Sequence, residues 1–409
     1  MKLNQSICRA VVALALVITT LLSASSCALL NSDLLQQFFN QEQGDLGNIP
    51  ENQNPDLNPD NNTQTGNQNN TVIPEFHPDS NVGDENNATA LQQTLLSTVL
   101  VYAQFGDSVA IGSGVIYQID KVNGDAYIIT NQHVVYGAET GASTNITIYL
   151  YGMVLNSYAI TAKYIGGTTT YDVAILKVEG SEVLKNSLAM AANLGKSADV
   201  RVFDTVYAVG NPNAYGFSVT KGMVSVRTET TSFTGAEDEV VSVRVIRIDA
   251  PINGGNSGGG VYNDKGQLIG IVVSKTPGTD IEGMGYAIPI DLVKNIADNL
   301  LFHCNGTTMI KLNRALMGIT ITSGVIGPDV DENGCVVNKE KVQVAEVSFT
   351  SLAFGKVRVG DVVNSLTVDG VTVLATEIHL ISEHMLTARV GSTVVLNVTR
   401  GNQIGRAHV

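Results

Sequence analysis

From about residue 91 to residue 289 the chain is a succession of short, β-branched segments, and that pattern leaves few folds open to it. In order they are "TVLVYAQF", "SVAIGSGVIYQI", "DAYIITNQHVV", "NITIYLY", "YAITAKYIGG", "DVAILKV", "TVYAVGNP", "VTKGMVSVRTET", "VVSVRVIRID", "GGGVYND", "QLIGIVVS" and "GMGYAIP". Each is bounded by Gly, Asn, Asp or Pro, residues that supply turns. Many short strands at regular spacing predict an all-β barrel or sandwich. The segment "PIDLVKNIADNLLFHC" (289–304) breaks the pattern. Its Leu292, Ile296, Leu300 and Leu301 sit near helical spacing behind Pro289, which predicts a helix closing this region. Residues 313–403 form a further unit of strands with one helical stretch near 376–388, read as a small α+β domain.

The first 90 residues are of another kind. "MKLNQSICRAVVALALVITTLLSASSCALL" has Lys2 and Arg9 ahead of an apolar run that is too short for an ordinary membrane span. Small residues then lead to Cys27, the pattern of a bacterial lipoprotein signal over residues 1–27 with Cys27 as the lipidated residue. Ala24 stands where Leu is commoner. Ordinary signal cleavage and an uncleaved anchor are the alternatives, and all three place the remainder outside the cytoplasm, with lipid or an uncleaved anchor also holding it at the membrane. Residues 28–90 are rich in Asn, Gln, Asp and Pro, with no hydrophobic period, and read as a disordered tether. Net charge is −14, and ten of the acids lie in this stretch, which has no Lys or Arg. The folded part is therefore nearly neutral, and nucleic acid is excluded as the main partner. Cys304 and Cys335 would remain in the mature chain, either paired or both free, and neither has metal-ligand spacing.

Three residues in the β-rich region stand where chemistry is possible. His133, in "IITNQHVV", is the only histidine between residues 91 and 300, so a multi-histidine metal site is excluded there. Asp172 precedes the apolar "VAILKV", and Ser257 lies in "NGGNSGGGV". A serine hydroxyl is a poor nucleophile until a base takes its proton, and histidine suits that role near neutrality. An aspartate holds the imidazole tautomer and stabilises the imidazolium. Each residue alone has an ordinary structural reading. In the order His, Asp, Ser within an all-β region they point to nucleophilic catalysis.

The motifs "IGSGVIY", "TNQHVV", "DVAILKV", "VGNP", "VTKGMVS", "GNSGGGV" and "GYAIP" follow one another as in the HtrA/DegP-like serine proteases of the trypsin-like superfamily, which this chain resembles over residues 91–300. The resemblance implies a mainly β fold, with two six-stranded β-barrels over 91–304 and a small α+β PDZ-like domain over 310–403. It implies a serine endopeptidase of unfolded or damaged proteins, without cofactor or metal, assembled as a homotrimer or larger. His133, Asp172 and Ser257 would be the triad. Gly255, Asn256 and Ser257 would form the oxyanion hole, often collapsed in this family until an effector arrives, and Gly258–Gly260 would let substrate backbone approach. Gly254 stands where the family usually has Pro, and Tyr171 where it has Thr or Ser.

The specificity pocket would be floored by Pro251 and walled by Ile271, Val272, Val273, Gly285, Tyr286 and Ala287, all uncharged. A small or medium aliphatic side chain would fit there, while a buried substrate Lys would lack a partner. In the PDZ-like domain Leu316, Met317, Gly318 and Ile319 match the loop that captures a C-terminal peptide carboxylate. The alternative is a PDZ-bearing holdase or surface-binding lipoprotein without protease activity. The tail "IGRAHV" (404–409) is what ATC GGA AGA GCA CAC GTC encodes, a common sequencing-adapter string. The tail is therefore expected to be non-native, following a PDZ-like unit truncated before its last strand.

Overall fold

Alternation of Val and Ile with smaller residues along the strands sorts their side chains onto two faces, and both faces find a core. The structure is a computed structural model that describes residues 30–31, 85–153, 158–212, 216–234, 240–273, 283–304, 310–330, 336–401 and 403–408. The expected signal segment, Cys27, most of the tether and Cys335 lie outside the described residues.

The first half contains β1 (Leu30–Asn31), α1 (Glu85–Leu96), β2 (Thr98–Phe105), β3 (Ser108–Asp120), β4 (Asp125–Thr130), α2 (Gln132–Val135), β5 (Tyr136–Gly137), β6 (Gly141–Ala142), β7 (Asn145–Leu150), β8 (Ile160–Thr168), β9 (Val173–Val178) and α3 (Glu182–Lys185). Strands β3-β2-β7-β8-β9-β4 pair in sequence, and β3 pairs again with β4, so the six close on themselves. The second half contains β10 (Thr205–Gly210), β11 (Ser218–Thr234), β12 (Val240–Ile248), β13 (Gly260–Asn263), β14 (Leu268–Val273), β15 (Gly285–Pro289) and α4 (Ile290–His303). Its six strands form a closed barrel, β10-β11-β12-β15-β14-β13.

Val99, Ile116, Ile128, Ile148 and Leu176 fill the first barrel. Val206, Val224, Ile246, Val261 and Val272 fill the second. A third layer lies between them, where Val115 and Ile129 meet Val209, Tyr262 and Ile271, with Ile296 and Leu300 of α4 packed on. This explains why "LIGIVV" in β14 has no polar position. Ile269 and Val272 face the barrel interior, while Leu268, Ile271 and Val273 face the layer between barrels. Each such side chain contributes roughly 1.5–3 kcal/mol by burial.

The C-terminal unit contains β16 (Ile310–Lys311), β17 (Ile319–Val330), β18 (Val336–Val347), β19 (Val362–Val368), β20 (Val371–Leu374), α5 (Ile378–His384), β21 (Val394–Arg400) and β22 (Gln403–His408). Apart from β16, which runs parallel to β8 in the first barrel, its strands form one sheet ordered β17-β18-β19-β21-β22, with β20 on β19. Gly166 makes the β16 approach possible, since a Cβ there would lie 2.3 Å from the Ile310 carbonyl oxygen. The unit docks on the second barrel and on α4. Arg244 of β12 forms two 2.6 Å bonds to the carboxylate of Glu383, and Arg227 of β11 pairs with Glu377. Buried Asn299 of α4 donates to the carbonyls of Asn313 and Leu386 at 2.8 and 2.9 Å.

Three boundaries differ from the sequence reading. Helix α1 starts at Glu85, inside the expected tether, because Leu95 packs on the layer between barrels and rewards a helix of low apolar content. Leu30 and Asn31, also within the expected tether, pair with Val109 and Ser108 of β3. The tail set aside from the fold forms β22, paired with β21 from Arg400↔Gln403 to Val395↔His408. The edge of β21 expected to be bare is therefore covered, and Ala407 is buried on the domain core.

Candidate active site

One helical turn, α2, carries His133 away from the end of β4 and into the cleft between the barrels. Its neighbour Gln132 anchors that turn from below, buried and bonded to the Tyr164 hydroxyl at 3.0 Å. Gly167 leaves room for it, since a Cβ there would lie 1.9 Å from Gln132 Oε1. Asp172 sits where β9 begins, in the left-handed region at φ 52° that Asp tolerates better than most residues. Its carbonyl accepts from Asn131 Nδ2 at 2.9 Å.

The carboxylate of Asp172 is fully buried and grips His133 twice. Oδ2 lies 2.7 Å from the ring Nδ1, and Oδ1 accepts the His133 backbone N–H at 2.9 Å. This geometry puts the ring proton on Nδ1 and leaves Nε2 basic. Such a pairing suits a general base that must pick up a proton and hold it as imidazolium.

Ser257 lies on a tight turn before β13, packed against the same segment that bears His133. A Cβ at Gly258 would stand 2.5 Å from Thr130 Oγ1 and 3.2 Å from the Asn131 nitrogen. The turn needs glycine at two positive φ values, 89° at Gly255 and 84° at Gly258. The role expected for Gly258–Gly260 is corrected. All three are buried against the protein itself, with Ser113 O 2.1 Å, Val209 O 2.3 Å and the Tyr262 ring 2.4 Å from the respective Cβ positions. They seat the turn between the barrels and do not line a path for substrate.

Asn256 also departs from expectation. Its N–H donates to Asn253 O at 3.1 Å and is spent as an oxyanion donor. Its carbonyl accepts from the Gly259 N–H at 2.9 Å. Across that trans peptide the Ser257 N–H is directed the opposite way.

The residues expected to form the specificity pocket do gather around β14 and β15, where Val272 pairs with Ala287 and Val273 with Tyr286. Their side chains, however, belong to the two cores: Val272 and Ala287 face the barrel interior, while Ile271, Val273 and Tyr286 face the layer between barrels. Ile252 fills the space before Gly285, its Cγ1 2.6 Å from where a Cβ would lie. Pro251 is exposed, and its carbonyl accepts from Thr220 Oγ1 at 2.9 Å. Asp249 is structural, its Oδ1 accepting the Met223 N–H at 2.6 Å.

Leu316, Met317, Gly318 (φ 70°) and Ile319 line one end of a groove of about 400 Å³ between the edge strand β17 and α5, with Ile321, Ile381 and Met385 further along. Arg314 borders the same groove and packs over the Tyr171 ring, 5.8 Å from its centroid. Burial pushes the Tyr171 phenol up, with Arg314 opposing. Tyr171 adjoins Asp172, so groove and His133–Asp172 pair are joined by a short path that no single-segment pattern could have disclosed. The Arg–Glu pairs at the domain junction were likewise missed, and so was Ser113.

Two closed six-stranded barrels with a His–Asp pair and a glycine-bound serine turn in the cleft between them define a trypsin-like peptidase, and the trypsin-like peptidase domain family matches residues 112–271. Within that class the chain belongs to the HtrA-type serine proteases. It is 42% identical over 192 residues to serine protease Do-like HtrA of Bacillus subtilis (strain 168), covering 46% of this chain and 39% of that protein. It is 30% identical over 302 residues to serine protease Do-like HtrA of Lactobacillus helveticus, covering 71% and 66%. The solved structure of HtrA-type protease AlgW with tripeptide has 26% identity and a TM-score of 0.52, covering 78% of this chain and 94% of that one. The match thus spans less than half of the Bacillus relative and about two thirds of the Lactobacillus one.

Proposed function

We propose that this protein is an extracytoplasmic serine endopeptidase that degrades unfolded or damaged proteins, held at the membrane by lipid on Cys27. Ser257 Oγ attacks the scissile carbonyl while His133 Nε2 takes its proton. The tetrahedral oxyanion is met by the N–H groups of Gly255 and Ser257. His133 then gives its proton to the leaving amine, and water repeats the sequence on the acyl-enzyme. Asp172 orients the ring and stabilises the imidazolium that forms. The observation that carries this reading is the double grip of Asp172 on His133, at 2.7 and 2.9 Å, beside the Ser257 turn.

The C-terminal unit acts as a PDZ-like module. A peptide C-terminus adds a strand to the outer edge of β17, the end strand of its sheet among the described residues, and its carboxylate meets the backbone of Leu316–Ile319. The groove there, between strand edge and helix, supports this. Assembly as a homotrimer rests on the family alone. With Ile252 seated before Gly285 and uncharged residues around it, cleavage falls mainly after Ala, Val or Leu. Incubating the full chain and its Ser257→Ala variant with an unfolded protein, and sequencing the fragments, tests the reading. Loss of cleavage in the variant, with cuts after small aliphatics in the parent, is expected. Equal degradation by both proteins contradicts the triad, and a majority of cuts after Lys or Arg contradicts the pocket.

A further inference from the structure

Ser113 lies on β3 of the first barrel, fully buried, and all of its polar groups are engaged at the Ser257 turn or beside it. Its hydroxyl donates to the Gly255 carbonyl at 2.7 Å and accepts the Asn211 N–H at 2.9 Å. Its own N–H donates to the Ser257 carbonyl at 2.7 Å. Its carbonyl accepts from Thr130 Oγ1 at 2.7 Å. One residue therefore joins the first barrel, the end of β10 in the second barrel and both sides of the turn.

The consequence follows from peptide planarity. In a trans peptide the carbonyl and the N–H on either side of the C–N bond point in opposite directions, so holding one aims the other. Three successive carbonyls of the turn are held: Gly255 O by Ser113 Oγ, Asn256 O by the Gly259 N–H, and Ser257 O by the Ser113 N–H. Gly255 O shares its peptide with the Asn256 N–H, and that plane lies between the two planes that carry the Gly255 and Ser257 N–H groups, so Ser113 fixes the link that sets these two donors relative to each other. Without the Ser113 hydroxyl, the Gly255 carbonyl and the Asn211 N–H lose these partners in a buried site. Unpaired buried groups are costly, and rotation of the Gly255–Asn256 peptide relieves the cost, turning the adjoining peptides that carry the Gly255 and Ser257 N–H groups out of register. Gly255, at φ 89°, has no Cβ to resist that rotation.

We propose that Ser113 is a positioning residue for the oxyanion hole, acting through its hydroxyl bond to the Gly255 carbonyl rather than by touching substrate. This rests on the reading of Ser257 as the nucleophile. The effect appears in the transition state, where the oxyanion forms, and not in ground-state binding of the peptide.

The test compares the full chain with Ser113→Ala and Ser113→Cys, the latter keeping the side-chain volume with a weaker donor. Hydrolysis of a short peptide ester gives kcat and KM. Inhibition by a peptide boronate, which mimics the tetrahedral adduct, gives an independent measure. Ser113→Ala is expected to lose about 10- to 100-fold in kcat, less than or comparable to deletion of a direct oxyanion donor. KM should stay within about twofold, and boronate affinity should fall in step with kcat/KM. Ser113→Cys should fall between. If Ser113→Ala does not fold, Ser113→Cys carries the same comparison. Unchanged kcat and boronate affinity in the folded variant overturn the proposal. So does a fall in thermal stability with boronate affinity intact, which marks a merely structural serine. A parent chain that neither hydrolyses the ester nor binds the boronate refutes the peptidase reading itself, a different result.

Discussion

Replacing Arg244 by Met removes the cation from a fork that is nearly closed to solvent, with side-chain exposures of 13% for Arg244 and 10% for Glu383. Burial already pushes the Glu383 carboxyl above its ordinary value of 4.5, with Arg244 opposing that shift through both hydrogen bonds and charge. Deleting one partner of such a pair leaves a buried carboxylate uncompensated and costs about 3–5 kcal/mol. Because Asp291 and Glu377 also disfavour the Glu383 charge, no neighbouring acid softens the loss. Arg244→Met is therefore expected to lose at least about 3 kcal/mol in urea unfolding at neutral pH, with the C-terminal unit released first. The double variant Arg244→Met/Glu383→Leu removes both charges and should return to within about 1 kcal/mol of the parent. The pH dependence has a definite sign. A carboxyl whose folded pKa lies above its unfolded value binds the proton more tightly when folded, so the variant's deficit is full above that folded value and shrinks as pH falls toward 4.5. A single-variant loss under about 1 kcal/mol, or a deficit that grows on acidification, refutes this account of the domain junction.

Other parts of the structure give further expected outcomes. Burial, then Arg244 and Arg227, hold His379 down to about 3 from its ordinary 6.5, so the unfolded chain takes up a proton first and stability falls as pH drops from 6.5 toward 3; His379→Gln should flatten that part of the urea-unfolding profile, and an unchanged slope would exclude His379 as its source. Gly258→Ala forces a Cβ to within 2.1 Å of the Ser113 carbonyl at φ 84°, and both the melting temperature and peptidase activity should fall sharply; a normal melting curve would show that the turn yields. Phe203 holds a left-handed φ of 75° with 80% of its surface exposed. Phe203→Gly should gain about 1 kcal/mol by relieving that strain, read as a raised melting temperature, and a lower one would mean the ring contributes contacts.

Legibility in the sequence followed the range of the interactions concerned. The strands were readable because β-branched runs between turn residues carry their own signal, and the His133, Asp172 and Ser257 segments each bear a local pattern. Helix α4 was readable from Leu292, Ile296 and Leu300, which are buried as their spacing implies. Helix α1 was missed because "ENNATALQQTLL" is mostly polar, and its start owes more to packing of the following residues than to its own composition. Gly258–Gly260 were seen, but their purpose was misread, since the carbonyls that Gly258 and Gly259 accommodate come from β3 and β10, far away in sequence, and Gly260 makes room for the Tyr262 ring. The expected pocket walls were found on the right strands with side chains turned into the cores, because periodicity does not show which of two buried faces a residue takes. Ser113, Arg244 and Glu383 carry no local pattern at all. Their partners lie 142 and 139 residues away, and only the closed barrels bring them together.

The central claim is that Ser257 is a nucleophile activated by His133. The direct measurement is the intact mass of the full chain after treatment with a fluorophosphonate, alongside Ser257→Ala and His133→Ala. The account predicts one adduct on the parent, mapped to Ser257 by peptide sequencing, none on Ser257→Ala and strongly slowed labelling of His133→Ala. An unlabelled parent, or an adduct that persists when Ser257 is replaced, would contradict it.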